Sequence, residues 1–259
     1  MNTAALTFSG LSSGYGKRPI LSDISGQILS GRVTALIGPN GSGKSTLLRV
    51  LGGLLPYRGS AALFGKELKR YPRRALGRLL GIVAQGPTAK AAFTVRDVIA
   101  FGRLPWQSLL GRPSPKDIEL IDAAAERLGL TAMASRKITE LSGGERQRAF
   151  LAMVLAQDTP ILLLDEPTSA MDPRQAMSAF ALMRELSAAG RAVVVAAHDL
   201  NAALTCSDNF LALKGGRLVA QGLSHEVDAH VLWELYDTPF SAYFSEKGER
   251  IWFPSHGNL

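Results

Sequence analysis

Nine residues, Gly38-Pro39-Asn40-Gly41-Ser42-Gly43-Lys44-Ser45-Thr46, constrain this chain more than any other stretch. They fit G-x-x-x-x-G-K-[ST] at every fixed position. Before them, Val33-Thr34-Ala35-Leu36-Ile37 is a short apolar run, the pattern of a strand buried on both faces. After them, residues 44–55 carry apolar positions at helical spacing until Pro56 stops the pattern. The order strand, glycine loop, helix has a physical consequence. Glycines let the backbone wrap close to a phosphate so that successive N–H groups point inward. The helix behind them adds the positive end of its dipole. Lys44 supplies a mobile cation for β- and γ-phosphates, and the Ser45 hydroxyl can bind Mg²⁺.

The rest of the chain supplies an α/β frame. Residues 6–9 and 26–29 alternate as strands around a Gly-rich turn at Gly14-Tyr15-Gly16, and residues 80–84 read as a buried strand ending at Gln85-Gly86-Pro87. From Thr94 to Leu130, Val95, Val98, Ile99 and Phe101 predict one helix. Ile118, Ile121, Ala124, Ala125 and Leu128 predict a second, after a turn at residues 111–115. Strands return at residues 161–164 and 192–197, with a helix at about residues 173–188 between them. This alternation predicts a mainly parallel sheet with a helical insertion in its middle. Residues 210–213 and 217–220 flank Lys214-Gly215-Gly216 as a hairpin. No internal repeat or low-complexity linker divides the chain, which predicts one composite domain.

Composition excludes other classes. At 259 residues, 46% hydrophobic and 20% charged, the chain is neither disordered nor collagen-like. One cysteine, Cys206, cannot build an internal disulfide framework and fits a reducing compartment, where a buried, small apolar role is expected of it. The apolar runs fall short of the roughly 18 residues of a membrane span. Met1-Asn2-Thr3-Ala4 is not followed by a signal-peptide pattern. A soluble cytoplasmic protein is expected. The net charge of +7 favours anionic partners without choosing among nucleotide, nucleic acid and acidic membrane.

Two further stretches carry chemistry. Ile161-Leu162-Leu163-Leu164 ends in Asp165-Glu166, which places two carboxylates at the C-terminal edge of the sheet, where open α/β sheets bind ligands. Asp165 can orient Mg²⁺ through its water shell, and Glu166 can reach the water that attacks a γ-phosphate. Leu141-Ser142-Gly143-Gly144-Glu145 precedes a helical stretch, residues 146–155. Ser142 and Glu145 form a capping box, and the two glycines allow an anion to come close. One nucleotide needs one such loop, so the second can serve a nucleotide held by another copy.

With these motifs in this order, the sequence resembles the ATP-binding cassette (ABC) ATPases from about Leu6 to Gly222. The resemblance implies a P-loop NTPase fold with a mainly parallel core sheet, an antiparallel β subdomain and a helical signature subdomain. The core would span about residues 1–86 and 159–222, the helical subdomain about 87–158, and a C-terminal extension 223–259. It implies a glutamine loop at Gln85 that senses the γ-phosphate and joins Ser45 and Asp165 around Mg²⁺. Tyr15 would stack on adenine, and Ser169-Ala170-Met171-Asp172 would face a dimer partner. His198, closing a strand, would contact the γ-phosphate and act in catalysis with Glu166 and Lys44. Two copies would then sandwich each ATP head to tail, between residues 38–46 of one and Ser142-Gly143-Gly144 of the other. Glu145 and Met171 replace the commoner Gln and Leu without removing a ligand.

The segment from Thr94 to Arg103 is similar to one in ATPases of siderophore, haem and cobalamin importers, and residues 168–172 with His198-Asp199-Leu200-Asn201 support the same subgroup. The implied role is ATP-driven uptake of an iron chelate or cobalamin through a separate permease, on the cytoplasmic side of the cell membrane. A periplasmic or extracellular binding protein would be an indirect partner. Transport of amino acids or metal ions, or export, is the alternative. ABC proteins of DNA or ribosomes carry long coiled-coil insertions or tandem cassettes, and neither is present, so no nucleic acid is expected. The basic run from Lys66 to Arg74 suits anionic lipid or a permease loop, and equally a solvated face.

Overall fold

The computed structural model describes residues 3–84, 93–107, 112–246 and 248–255. The chain opens with an antiparallel hairpin of β1 (Ala4–Tyr15) and β2 (Arg18–Leu29). β1 runs through the expected turn at Gly14 and Tyr15, and the chain reverses at Gly16 and Lys17 instead. Next come β3 (Val33–Ile37), buried along its whole length, and α1 (Lys44–Leu51). α1 stops four residues short of the expected end at Leu55. Gly53 adopts a left-handed φ of 71°, its N–H bonds the Val50 carbonyl, and the Leu54 N–H bonds that of Arg49. That double closure ends a helix from within the backbone. β4 (Arg58–Leu63) and β5 (Lys66–Glu67) complete a four-stranded antiparallel sheet in the order β2-β1-β4-β5.

A short helix, α2 (Arg73–Leu76), leads into β6 (Leu80–Val83). The helical insertion holds α3 (Val95–Phe101), α4 (Pro115–Arg127) and α5 (Gly143–Gln157). Thr94–Asp97 and Ser114–Asp117 capping boxes start the first two. Inside the insertion, Arg103 donates to Asp117 (2.7 Å) and to the carbonyls of Ala156 (2.9 Å) and Gln157 (3.1 Å), locking the end of α3, the start of α4 and the C-terminus of α5 together.

β7 (Ile161–Asp165), α6 (Pro173–Ala188), β8 (Ala192–Ala196), α7 (Leu200–Thr205), β9 (Asn209–Lys214) and β10 (Arg217–Leu223) follow. The central sheet has the order β10-β9-β3-β8-β7-β6, all parallel except the edge strand β10. Side chains alternate across it with a period of two. Val33, Ala35, Ile37, Leu162, Leu164, Val193 and Val195 face a core shared with the helical insertion and α6. Leu36, Ile161, Leu163, Val194 and Ala196 face a second core shared with α1 and the antiparallel sheet. The parallel sheet, antiparallel sheet and helical layer implied by the resemblance are therefore all present.

The chain ends with α8 (Ala229–Tyr236) and an antiparallel ribbon of β11 (Phe240–Phe244) and β12 (Arg250–Pro254). Cys206 is half-buried against the core rather than enclosed, because it sits at the exposed C-terminal end of α7. No helix among the described residues is long and apolar enough to cross a membrane.

Candidate active site

The parallel register brings the C-terminal ends of β3, β7 and β8 side by side, with Leu36 and Asp165 both opposite Ala196. The three predicted loops leave from this one edge. Residues 38–46 follow β3, Asp165 and Glu166 close β7, and His198 follows β8. Gly38 needs its glycine. A Cβ there would lie 2.1 Å from the Leu213 carbonyl oxygen, and its φ of 147° is foreign to other residues. Gly43 likewise holds a φ of 108° with Leu21 packed against it. Gly43 also starts α1 without a side-chain cap, whereas side chains cap each of α3, α4, α5, α6, α7 and α8. The first N–H groups of α1 thus remain free for an anion.

Side chains agree with that reading. Lys44 is 9% exposed and curls over the loop, its Nζ donating to the carbonyls of Gly38 (2.6 Å) and Pro39 (3.1 Å). Burial pushes its pKa down, and the carboxylates of Glu166 and Asp165 work against that. The Ser42 hydroxyl is buried in the loop with no hydrogen-bond partner, an arrangement costly unless a ligand oxygen meets it. Burial pushes the Asp165 carboxyl up; the neighbouring Ser45 hydroxyl opposes this, and the charge of Glu166 reinforces it. Ser45 and Asp165 are a pair of hard oxygen donors, and no cluster of three or more metal-ligating side chains exists among the described residues. Such a set fits Mg²⁺, which takes one or two protein ligands and completes its shell with phosphate and water.

Glu166 has a φ of 49°, unusual for a residue with a side chain. Its surroundings enforce it. The Glu166 N–H donates to the Ala196 carbonyl (2.7 Å), while its own carbonyl accepts from Ser169 Oγ (3.2 Å) and from the Gln147 amide. Gln147 also accepts from the Ala170 N–H (3.1 Å), so a side chain of α5 clasps the whole turn from Glu166 to Ala170. No motif marks Gln147 in the sequence. It occupies the buried register Gly144, Gln147, Leu151, Val154 of α5, and one polar residue in an apolar stripe was the available signal.

Ser142, Gly143 and Gly144 stand apart from that cluster. The Ser142–Glu145 capping box forms as expected, and the Ser142 bonds hold the Glu145 carboxyl below its usual range. Ser142 and Gly143 are exposed, and Gly144 abuts the Ala170 carbonyl. No hydrogen bond among the described residues joins Ser142–Gly144 to residues 38–46. Tyr15 is exposed at the tip of the β1–β2 hairpin, its hydroxyl accepting from Arg49 of α1 (2.9 Å). His198 is exposed between β8 and α7. Gln85 lies outside the described residues.

The model of the ABC transporter family matches residues 21–169, a stretch that holds Gly38–Thr46, Ser142–Gly144 and Asp165–Glu166. This chain belongs to the ABC transporter family. The chain is 39% identical over 238 residues to the ferric enterobactin transport ATP-binding protein FepC of Escherichia coli (strain K12), covering 91% of this chain and 88% of that protein. It is 38% identical over 236 residues to the hemin import ATP-binding protein HmuV of Streptomyces coelicolor (strain ATCC BAA-471 / A3(2) / M145), with 90% and 84% covered. Among solved structures, a metal-chelate type ABC transporter in an inward-facing conformation superposes with a TM-score of 0.83 at 26% identity, covering 99% of this chain and 98% of that one. This member of the family is an ATPase that binds ATP. Its relatives are ATP-binding subunits of importers, and the sheet edge just described is where open α/β sheets bind ligands.

Proposed function

We propose that this chain is the ATP-hydrolysing subunit of an importer for iron chelates, siderophore or haem, or for cobalamin. The names of its relatives over nearly its whole length carry that reading, as they transport ferric enterobactin and import hemin. A core of about residues 1–86 and 159–222 would act as motor, with the helical subdomain of about 87–158 as its lever. Lys44 and the N–H groups of residues 38–46 hold the β- and γ-phosphates, and Tyr15 carries the adenine. Ser45, Asp165 and Gln85 would hold Mg²⁺, which when bound would neutralise charge on the phosphates. Glu166 takes the proton of the attacking water, and His198 holds the γ-phosphate from the next strand. The exposed N-terminus of α5 serves the ATP of a second copy. Two copies work beneath separate permease subunits at the cytoplasmic face of the cell membrane, with a substrate-binding protein outside.

The test is affinity purification from detergent-solubilised membranes. A polytopic membrane protein in about equal amount, and ATP-dependent uptake of a ferric siderophore, haem or cobalamin by the reconstituted pair, is the expected result. Recovery with DNA or ribosomes instead would overturn the transport reading.

A further inference from the structure

The C-terminal segment touches the nucleotide edge at two places. The first lies beside the phosphate loop. Lys214, at the end of β9, donates to the Glu234 carbonyl (2.6 Å) and to Asp237 (2.7 Å), fastening the C-terminus of α8 to the strand whose Leu213 carbonyl crowds Gly38. A cation there also suits the helix dipole. The second lies on α7, the helix that begins two residues after His198. Asn201 Nδ2 donates to the Trp252 carbonyl (3.0 Å), and the Trp252 N–H donates to Asn201 Oδ1 (2.8 Å). One donor and one acceptor on the same residue fix the amide's orientation without ambiguity.

A helix of six residues has little stability of its own, so α7 lies where its tertiary contacts put it. Asp199 caps it by accepting from the Ala202 N–H (3.0 Å), and Ala203 is its one buried residue. Leu200, Ala202 and Leu204 pack half-buried against the main core, and Asn201 adds a pair of hydrogen bonds to the main chain of β12. β12 is equally dependent, since a two-stranded ribbon is marginal alone. Trp252 buries its ring in the main core, and Arg250 donates to the Val227 carbonyl (2.8 Å). His198 therefore lies between the end of β8 and a short helix that is packed on the core and tied to β12 through the Asn201–Trp252 pair.

We propose that Asn201 is a positioning residue for ATP hydrolysis: by binding the main chain of β12 it makes the C-terminal ribbon the support that aims His198 at the nucleotide. The inference rests on the γ-phosphate role proposed above for His198. Steady-state ATPase measurements on the full chain test it, with Asn201→Ala, Asn201→Asp and His198→Ala compared. Asn201→Ala is expected to lower kcat about tenfold, inside the roughly 100-fold that a misplaced group can cost, with KM for ATP within about twofold. Asn201→Asp keeps the acceptor for the Trp252 N–H and should fall less. An Asn201→Ala variant with unchanged kcat, beside a His198→Ala variant that has lost turnover, overturns the inference alone. Equal losses in kcat and ATP affinity that track a lowered melting temperature also overturn it, since they mark a merely structural bond. A His198→Ala variant with wild-type turnover removes the γ-phosphate role, and the inference falls with it.

Discussion

At the residue scale, Glu166 is held in a backbone conformation that costs on the order of 1–2 kcal/mol for an L-residue. The Ala196, Ser169 and Gln147 bonds all reach its main chain, so the side chain can change without disturbing them. Glu166→Gln should therefore fold normally, bind ATP as the parent does and lose at least about 100-fold in phosphate release, the scale of a missing general base. Undiminished release would take Glu166 out of the base role. Gln147→Leu makes the complementary test. It fills the same buried slot but removes the partner of the Ala170 N–H and one of the donors to the Glu166 carbonyl, which keeps its bond from Ser169, at about 1 kcal/mol for lost hydrogen bonds. Thermal melts should show that loss, and kcat should fall because the turn carrying Glu166 is no longer clasped. The motif residues themselves were legible in the sequence because each sits at a fixed offset from a glycine or a strand end. Gln147 was not, because its partners lie 19 and 23 residues downstream and no local spacing records them.

At the scale of elements, the bond network around Arg103 sets where α5 points. Both side chains of the Arg103–Asp117 pair are almost fully buried. Removing one partner strands a buried charge, so Asp117→Ala should cost about 3–5 kcal/mol by chemical denaturation. The pair also sets a pH dependence. Burial pushes the Asp117 carboxyl up, but the bonds from Arg103 and Ser114 outweigh it and hold it below the usual carboxylate value. A depressed folded value means stability is fully present above the unfolded value of about 3.9 and lost as pH falls through the folded one. The acid limb of a melting-temperature profile should then be shallower in Asp117→Asn than in the parent. A pattern of apolar residues predicts elements such as β3 and α6 well, since one strand or one helix face decides them. It overran the end of α1, where an apolar run continues past the Gly53 closure. It was silent on β11 and β12, whose stability comes from the Asn201 tether and the buried Trp252 rather than from any local window.

At the scale of the molecule, the second glycine-rich helix start makes no hydrogen bond to the phosphate loop of its own chain among the described residues. The capping box of α5 satisfies Ser142 internally, and nothing described ties Ser142–Gly144 to residues 38–46. In the head-to-tail pairing proposed above, the ligand that bridges the two spans two copies, and ATP is then the condition for pairing. Ser142→Arg separates binding from pairing. It adds a bulky side chain at an exposed position, gives up the Ser142 cap of α5 and leaves the Gly38–Thr46 cradle untouched. Introduced beside Glu166→Gln, it should leave monomer affinity for ATP within about twofold, measured by fluorescent-nucleotide titration. It should also abolish the ATP-dependent doubling of the 27.7 kDa mass in size-exclusion chromatography with light scattering, because the exposed helix start carries the donors offered to the partner's γ-phosphate in this scheme. If ATP still doubles the mass of that variant, the head-to-tail sandwich is wrong and the exposed N-terminus of α5 needs another partner.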